Sequence, residues 1–166
     1  MRKTARDMTE VSLAVQYAIA AHDLPRWRLR HWVKRATAGA QTHLNPAPKQ
    51  LILTIRIVDE DEGCELNRSY RGRDYATNVL TFNYDQPPGL DAVCQADVVL
   101  CDPVLRKEAA EQGKTVLDHA AHLCVHATLH ALGFDHEDDE QARVMEGLEI
   151  QILARMGLGN PYQTSS

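Results

Sequence analysis

"QLILTIRIV", residues 50–58, sets Leu51, Leu53, Ile55 and Ile57 on one side of an extended chain and Ile52, Thr54, Arg56 and Val58 on the other. Side chains alternate across a strand, so this stretch predicts a strand fully covered on one face and partly covered on the other. Such a strand needs neighbours. Toward the N-terminus, "EVSLAVQYA" (10–18) reads as a first strand, and after Pro25 a helix carries Leu29, Trp32, Val33 and Ala36 at spacings of three and four. Toward the C-terminus, "DEDEGCELNRSYR" (59–71) predicts a short helix opened by acids that suit the positive end of its dipole. "NVLTFNY" (78–84) and "ADVVLC" (96–101) follow as two more strands, joined by a loop holding Pro87, Pro88 and Gly89. From Asp102 the pattern is helical: about 103–112, then 115–132 ended by Gly133, then about 138–157 with Met145, Leu148, Ile152 and Met156 on one face. Strands first and helices later give an α+β class, a small mixed four-stranded sheet packed with about five helices. Residues 1–166 read as one domain with an ordered core over 9–162 and a frayed tail, "QTSS" (163–166).

At 166 residues and 44% hydrophobic composition, the chain is long enough to bury a core without covalent staples. Cys64, Cys94, Cys101 and Cys124 form no CxxC pair and read as reduced, mostly buried thiols. The opening "MRKTARDMTEVSLAVQYAIA" is too polar for a secretory signal, and no run of about 18 apolar residues is present to span a bilayer. A soluble protein of a reducing cytoplasm is expected. The net charge of −5 argues against coating nucleic acid by bulk electrostatics. The sign is uneven, however, with 13 Lys+Arg against 9 Asp+Glu in residues 1–83 and 5 against 14 in residues 84–166. Basic groups gather in "RWRLRHWVKR" (26–35) and "RSYRGRD" (68–74), which leaves room for a local anion site.

The chemistry concentrates in "HATLHALGFDH" (126–136). Residues four apart on a helix stand one above the other, so His126 and His130 present both imidazoles to one point. Gly133 can adopt the positive φ that ends the helix, and Phe134 and Asp135 then reverse the chain so that His136 returns to the same place. Three neutral imidazoles leave a fourth tetrahedral position open, as in a catalytic zinc site; nitrogen ligation also suits nickel or copper, and zinc is favoured by availability and geometry. His122 lies one turn earlier, but a straight helix cannot wrap three successive turns around one ion. A role beside the ligands or on the substrate side is one reading for it, and a packed histidine the other. The two-histidine spacing is zincin-like, yet position 127, where the zincin proteases carry a general-base glutamate, holds Ala127. Phosphodiester cleavage needs fixed positive charge for the phosphoryl oxygens, and an arginine fork serves it well. The natural supplier is "LNRSYRGRDYATNVLTF" (66–82).

These two blocks together resemble the YbeY-type bacterial endoribonucleases, and the order of elements agrees from about residue 9 to residue 162. The resemblance implies a metal-dependent hydrolase specific for single-stranded RNA, with one zinc ion per chain, acting in 16S rRNA 3′-end maturation and ribosome quality control. It implies His126, His130 and His136 as ligands, and Arg71 and His126 as the catalytic residues. Ribosomal RNA is the implied partner, together with a small-subunit ribosomal protein or an exoribonuclease; neither DNA nor membrane is expected. Ala127 and Ala131 stand where the family often has Gly and Leu, Ala76 and Asn83 where proline is usual near the arginine block, and Ala96 where its strand generally begins with Gly-Asp, with Asp97 kept. Two other functions remain open on the sequence: a metallopeptidase-like hydrolase, opposed by Ala127, and a non-catalytic, zinc-containing ribosome-associated module.

Further residues carry paired readings. Arg68 and Arg73 extend an RNA track from Arg71 or form a solvated helix end. Thr77 and Asn78 position substrate or shape a turn. Asp135 or Glu137, within "DHEDDE" (135–140), supplies a carboxylate to a ligating imidazole, or the cluster is a helix-start acid group. Trp27 and Trp32 are expected in the core, and Cys124 on the ligand helix is expected to be buried and inert.

Overall fold

The computed structural model describes residues 8–85 and 92–163, so the expected loop at Pro87, Pro88 and Gly89 and residues 164–166 of the expected tail lie outside the described residues. The elements run β1 (Glu10–Tyr17), α1 (Arg26–Ala40), β2 (Gln50–Val58), α2 (Glu60–Arg71), β3 (Val79–Asn83), β4 (Val93–Cys101), α3 (Asp102–Glu111), α4 (Val116–Ala131) and α5 (Asp139–Arg155). The four strands form a mixed sheet in the order β1-β2-β4-β3. β1 and β4 run parallel to β2, and β3 is antiparallel to β4. The α+β class with five helices among the described residues is therefore observed. β4 begins three residues before its expected start, because Val93, Cys94 and Gln95 find ladder partners in Gln50, Leu51 and Ile52 of β2. Polar Gln95 breaks the apolar run and hides that extension in the sequence.

β2 occupies the position its alternation demands. Leu51, Leu53, Ile55 and Ile57 are buried in a core that α1, α4 and α5 close with Leu29, Val33, Leu129, Met145 and Leu153. Each such side chain taken from water contributes ~1.5–3 kcal/mol before entropy is counted. On the other face a smaller cluster of Val58, Leu80, Val99 and Cys101 is covered by Leu66 of α2 with Phe82 and Val104. α2 covers only one end of that face, and Arg56 beyond it is held by both carboxylate oxygens of Glu62 at 2.6 and 3.0 Å. Trp32 is buried as expected, but Trp27 is 64% exposed. Five residues of helix turn the second tryptophan about 140° away from the first, so only one can face the sheet. The Arg28 guanidinium lies 4.6 Å from the Trp27 ring instead.

Two local features place the ends of the histidine segment. The Thr115 hydroxyl accepts a hydrogen bond from the Asp118 amide at 3.1 Å and starts α4. At the other end Gly133 takes φ +102°, its amide donates to the His130 carbonyl, and the Phe134 amide donates to the Leu129 carbonyl. This is the paired bonding of a Schellman stop, and it turns the chain back toward α4 as the glycine predicts. β3, at the sheet edge, alternates Val79 and Thr81 toward α4 with Leu80 and Phe82 toward α2. The Asn83 amide then ties the end of β3 to the His130 carbonyl at 3.2 Å.

A Cβ built on Gly133 meets nothing within 4 Å, so Gly133→Ala tests backbone conformation alone. The variant is expected to lose ~1–2 kcal/mol of stability in urea denaturation. An unchanged midpoint would contradict the role given to this turn.

Candidate metal centre and cleft

α4, the Gly133 turn and the start of the 134–138 segment bring His126, His130 and His136 together, with one potential ligand atom from each lying within 4.8 Å of the others. Their ring centroids stand 4.8, 5.7 and 4.9 Å apart around the triangle. These three residues could hold a metal ion. The donor set fits a divalent transition ion, since neutral imidazoles are good ligands and an all-nitrogen set of three leaves a coordination position for water or substrate. Burial is the main reason that the His130 pKa falls to about 4, and the neighbouring His126 and His136 rings add to it. His130 is therefore neutral throughout the physiological range, the form in which an imidazole can bind a metal.

The surroundings fix His126 further. Glu149 of α5 is fully buried, and its Oε1 lies 2.5 Å from His126 Nδ1. A second carboxylate oxygen, Oε2, accepts a hydrogen bond from the Tyr162 hydroxyl. Burial by itself raises a carboxyl pKa, yet the imidazoles of His122 and His126 and the Tyr162 phenol hold Glu149 down to about 2. With Nδ1–H donated to Glu149, His126 keeps Nε2 for an ion. His122 sits 3.8 Å from the same carboxylate, beyond hydrogen-bond reach, and edge-on to the Tyr162 ring. It is thus mostly buried beside the centre rather than in the cleft.

The carboxylate hydrogen-bonded to a histidine of the triangle comes from α5. Asp135 accepts from the His136 amide at 2.8 Å and its charge bears on His130, and the Glu137 backbone amide donates to Gln141 Oε1 at 3.3 Å. Asp138 caps α5 by accepting from the Gln141 amide at 2.7 Å. The residue that meets His126 is Glu149, which sequence reading passed over. Its signal was present: it lies within the Met145, Leu148 and Ile152 stripe, a single acid on a face that is otherwise apolar. Tyr162 carried no such signal, because its partner is fixed only by the fold.

Arg71, Thr77, Asn78, Val79 and Thr81 join the three histidines in lining an open cleft of about 180 Å³. Arg71 ends α2, where Gly72 takes φ +68° as the cap. Its guanidinium makes no hydrogen bond or ion pair among the described residues, so it is available to an anion. Arg68 and Arg73 do not line the cleft. Arg68 is turned to Glu65 and Asp74 at 3.4 and 3.7 Å. The Asn67 amide holds the loop leading to Thr77 by donating to the Tyr75 carbonyl at 2.7 Å. Asn78 is steadied by Glu108 of α3, whose Oε1 lies 2.9 Å from its Nδ2 and 3.1 Å from His119 Nε2. No carboxylate lines the cleft among the described residues. Cys124 is buried, and burial pushes its thiol up to about 12, which leaves it inert.

Fold and site together define a class: a mixed four-stranded α+β protein in which one helix and its terminal turn present three histidines beside an edge strand. A family model described as endoribonuclease YbeY matches residues 15–157. The chain is 56% identical to the endoribonuclease YbeY of Bordetella pertussis over 154 residues, covering 93% of this chain and 97% of that protein. It is 48% identical to the endoribonuclease YbeY of Alkalilimnicola ehrlichii over 167 residues, covering 98% of each. Among solved structures, the solution structure of TM1509 from Thermotoga maritima superposes with a TM-score of 0.56 at 18% identity, covering 92% of this chain and 99% of that one, and shares the fold. The chain belongs to the endoribonuclease YbeY family. No helix among the described residues is long and apolar enough to cross a membrane.

Glu149→Gln removes the charge behind His126 while keeping the side-chain size. It is expected to weaken metal binding by about 10–100-fold in chelator competition; unaltered affinity would show that Glu149 serves packing alone. The depressed His130 pKa has a definite sign in the metal-free protein. Its unfolded state takes up the proton from about 6.5 downward, whereas the folded state does so only near 4. Stability should therefore fall as pH drops through that window, and the fall should be shallower in His130→Ala. Equal pH slopes in urea denaturation of the two proteins would contradict the assignment.

Proposed function

We propose that this chain is a cytoplasmic, zinc-dependent endoribonuclease that cuts single-stranded RNA, acting as one domain in 16S rRNA 3′-end maturation and ribosome quality control. His126, His130 and His136 hold the ion, and Arg71 and His126 are the catalytic residues. The observation that carries this reading is the convergence of an unpaired Arg71 and the three histidines on one open cleft.

The residues divide the work by charge and position. A planar guanidinium can grip two non-bridging phosphate oxygens at once and stabilise the negative charge that develops on them. Arg71, at the end of α2, lines the same cleft as the histidine triangle of α4 and its terminal turn. Thr77 and Thr81 offer hydroxyls along that cleft, and Asn78 is fixed by Glu108 so that the substrate meets a preset surface. His126, His130 and His136 would hold the zinc ion, which when bound would supply Lewis-acid activation of water near neutral pH. Glu149 keeps His126 in one tautomer and orientation through that chemistry. Peptide hydrolysis on the zincin pattern finds no support here, because position 127 is a buried alanine where a general-base carboxylate would be required.

Two features favour an RNA of modest affinity. The protein is anionic overall, and one free arginine marks the cleft among the described residues. A shallow salt dependence follows, since few counterions are released on binding.

Arg71→Glu is expected to abolish cleavage of a labelled single-stranded RNA, by about two orders of magnitude or more, as removal of a charge-stabilising donor does elsewhere. Metal content measured on the same preparation should remain at the wild-type level. Loss of the metal in that variant would make Arg71 structural, and retained cleavage would remove it from the reaction.

A further inference from the structure

Large aromatic side chains are normally buried or isolated on a soluble protein's surface, and a cluster of exposed ones marks a contact. Tyr70, Tyr75 and Tyr84 are 66%, 56% and 49% exposed, and all three come from the segments that also deliver Arg71, Thr77 and Thr81 to the cleft. Successive helix residues point about 100° apart. Arg71 therefore faces the cleft while Tyr70 lies against Phe82, with ring centroids 4.5 Å apart and planes tilted by 49°. Phe82 and Tyr84 alternate away from Thr81, so they share the strand face that looks toward α2. The Tyr84 hydroxyl is fixed by Asp97, which pairs with Phe82 across the β3–β4 ladder. β3 is an edge strand, and no further strand covers this corner among the described residues.

We propose that Tyr70, backed by Phe82 and flanked by Tyr84, is a stacking platform for the unpaired base next to the phosphate held at Arg71. The proposal rests on the reading of the cleft as an RNA-cutting site and names how the strand is gripped beside it. Tyr70 lies tilted against Phe82 with most of its surface in solvent, which leaves ring area for a base. Its adjacency to Arg71 in the helix sets base and phosphate contacts on neighbouring parts of one nucleotide chain. Stacking needs no positive charge, so it suits a protein whose net charge is −5. It accepts any base and requires that the base be unpaired. The platform thereby supplies single-strand selectivity without a sequence code, whereas a duplex would keep its bases from the ring.

The test uses the full-length protein and a labelled 2′-O-methyl oligoadenylate, beside an abasic oligomer with the same phosphates. Wild type is expected to bind the base-bearing oligomer at least about fivefold more tightly than the abasic one. Tyr70→Ala should lose that difference while its salt dependence and thermal midpoint stay at the wild-type values, and Tyr70→Phe, which keeps the ring, should restore it. Tyr70→Ala binding both oligomers as wild type does, or losing affinity equally for both, would overturn the platform. Wild type that cuts RNA but ignores the bases overturns the platform alone; wild type that neither binds nor cuts RNA overturns the ribonuclease reading and the platform with it.

Discussion

A carboxylate with no solvent exposure organises one side of this molecule. Burying a carboxylate is costly unless its oxygens are hydrogen-bonded, and at the α4–α5 interface His126 and Tyr162 each bond one oxygen of Glu149. The pairing joins three parts of the chain: the helix carrying the histidines, the last helix, and the segment that follows it. It also sets the orientation of His126. The position of one ring nitrogen at the centre is thus tied to the packing of the C-terminal third of the protein, and replacing Glu149 disturbs both.

The opposite wall is built on a different principle. β3 is a short edge strand, antiparallel to β4 in a sheet otherwise parallel, and it brings Val79 and Thr81 to face α4. α2 ends at Gly72 so that Arg71 stands at the cleft, and Asn67 anchors the loop between them and Thr77. The arginine needs no salt-bridge partner there because it remains in solvent. The histidine wall is backed by the buried Glu149, while on the other side Arg71 is exposed beside an Asn78 held by Glu108.

Much of this was legible in the sequence because it depends on short-range periodicity. The two-sided alternation of 50–58 predicts a covered central strand, and the spacing of His126, His130 and Gly133 predicts the paired imidazoles and the returning turn. The N-terminal extension of β4 was hidden by Gln95, whose ladder partner exists only once β2 is beside it. Trp27 was misplaced because aromatic size suggests burial, while helix geometry allowed only Trp32 to reach the sheet. The carboxylate behind His126 was sought among the acids next to His136, where sequence proximity points. The fold instead supplies Glu149 from another helix. Contacts between distant segments, including Glu108 with Asn78 and Tyr70 with Phe82, are products of tertiary packing and leave little local trace.

The central claim is that one ion held by His126, His130 and His136 is the seat of RNA cleavage. The most direct measurement is cleavage of a labelled single-stranded RNA by wild type and by His130→Ala, with the bound metal of each preparation quantified. The account predicts that cutting disappears together with one equivalent of metal. Equal cutting by the two proteins, or full metal occupancy in the variant, would contradict it.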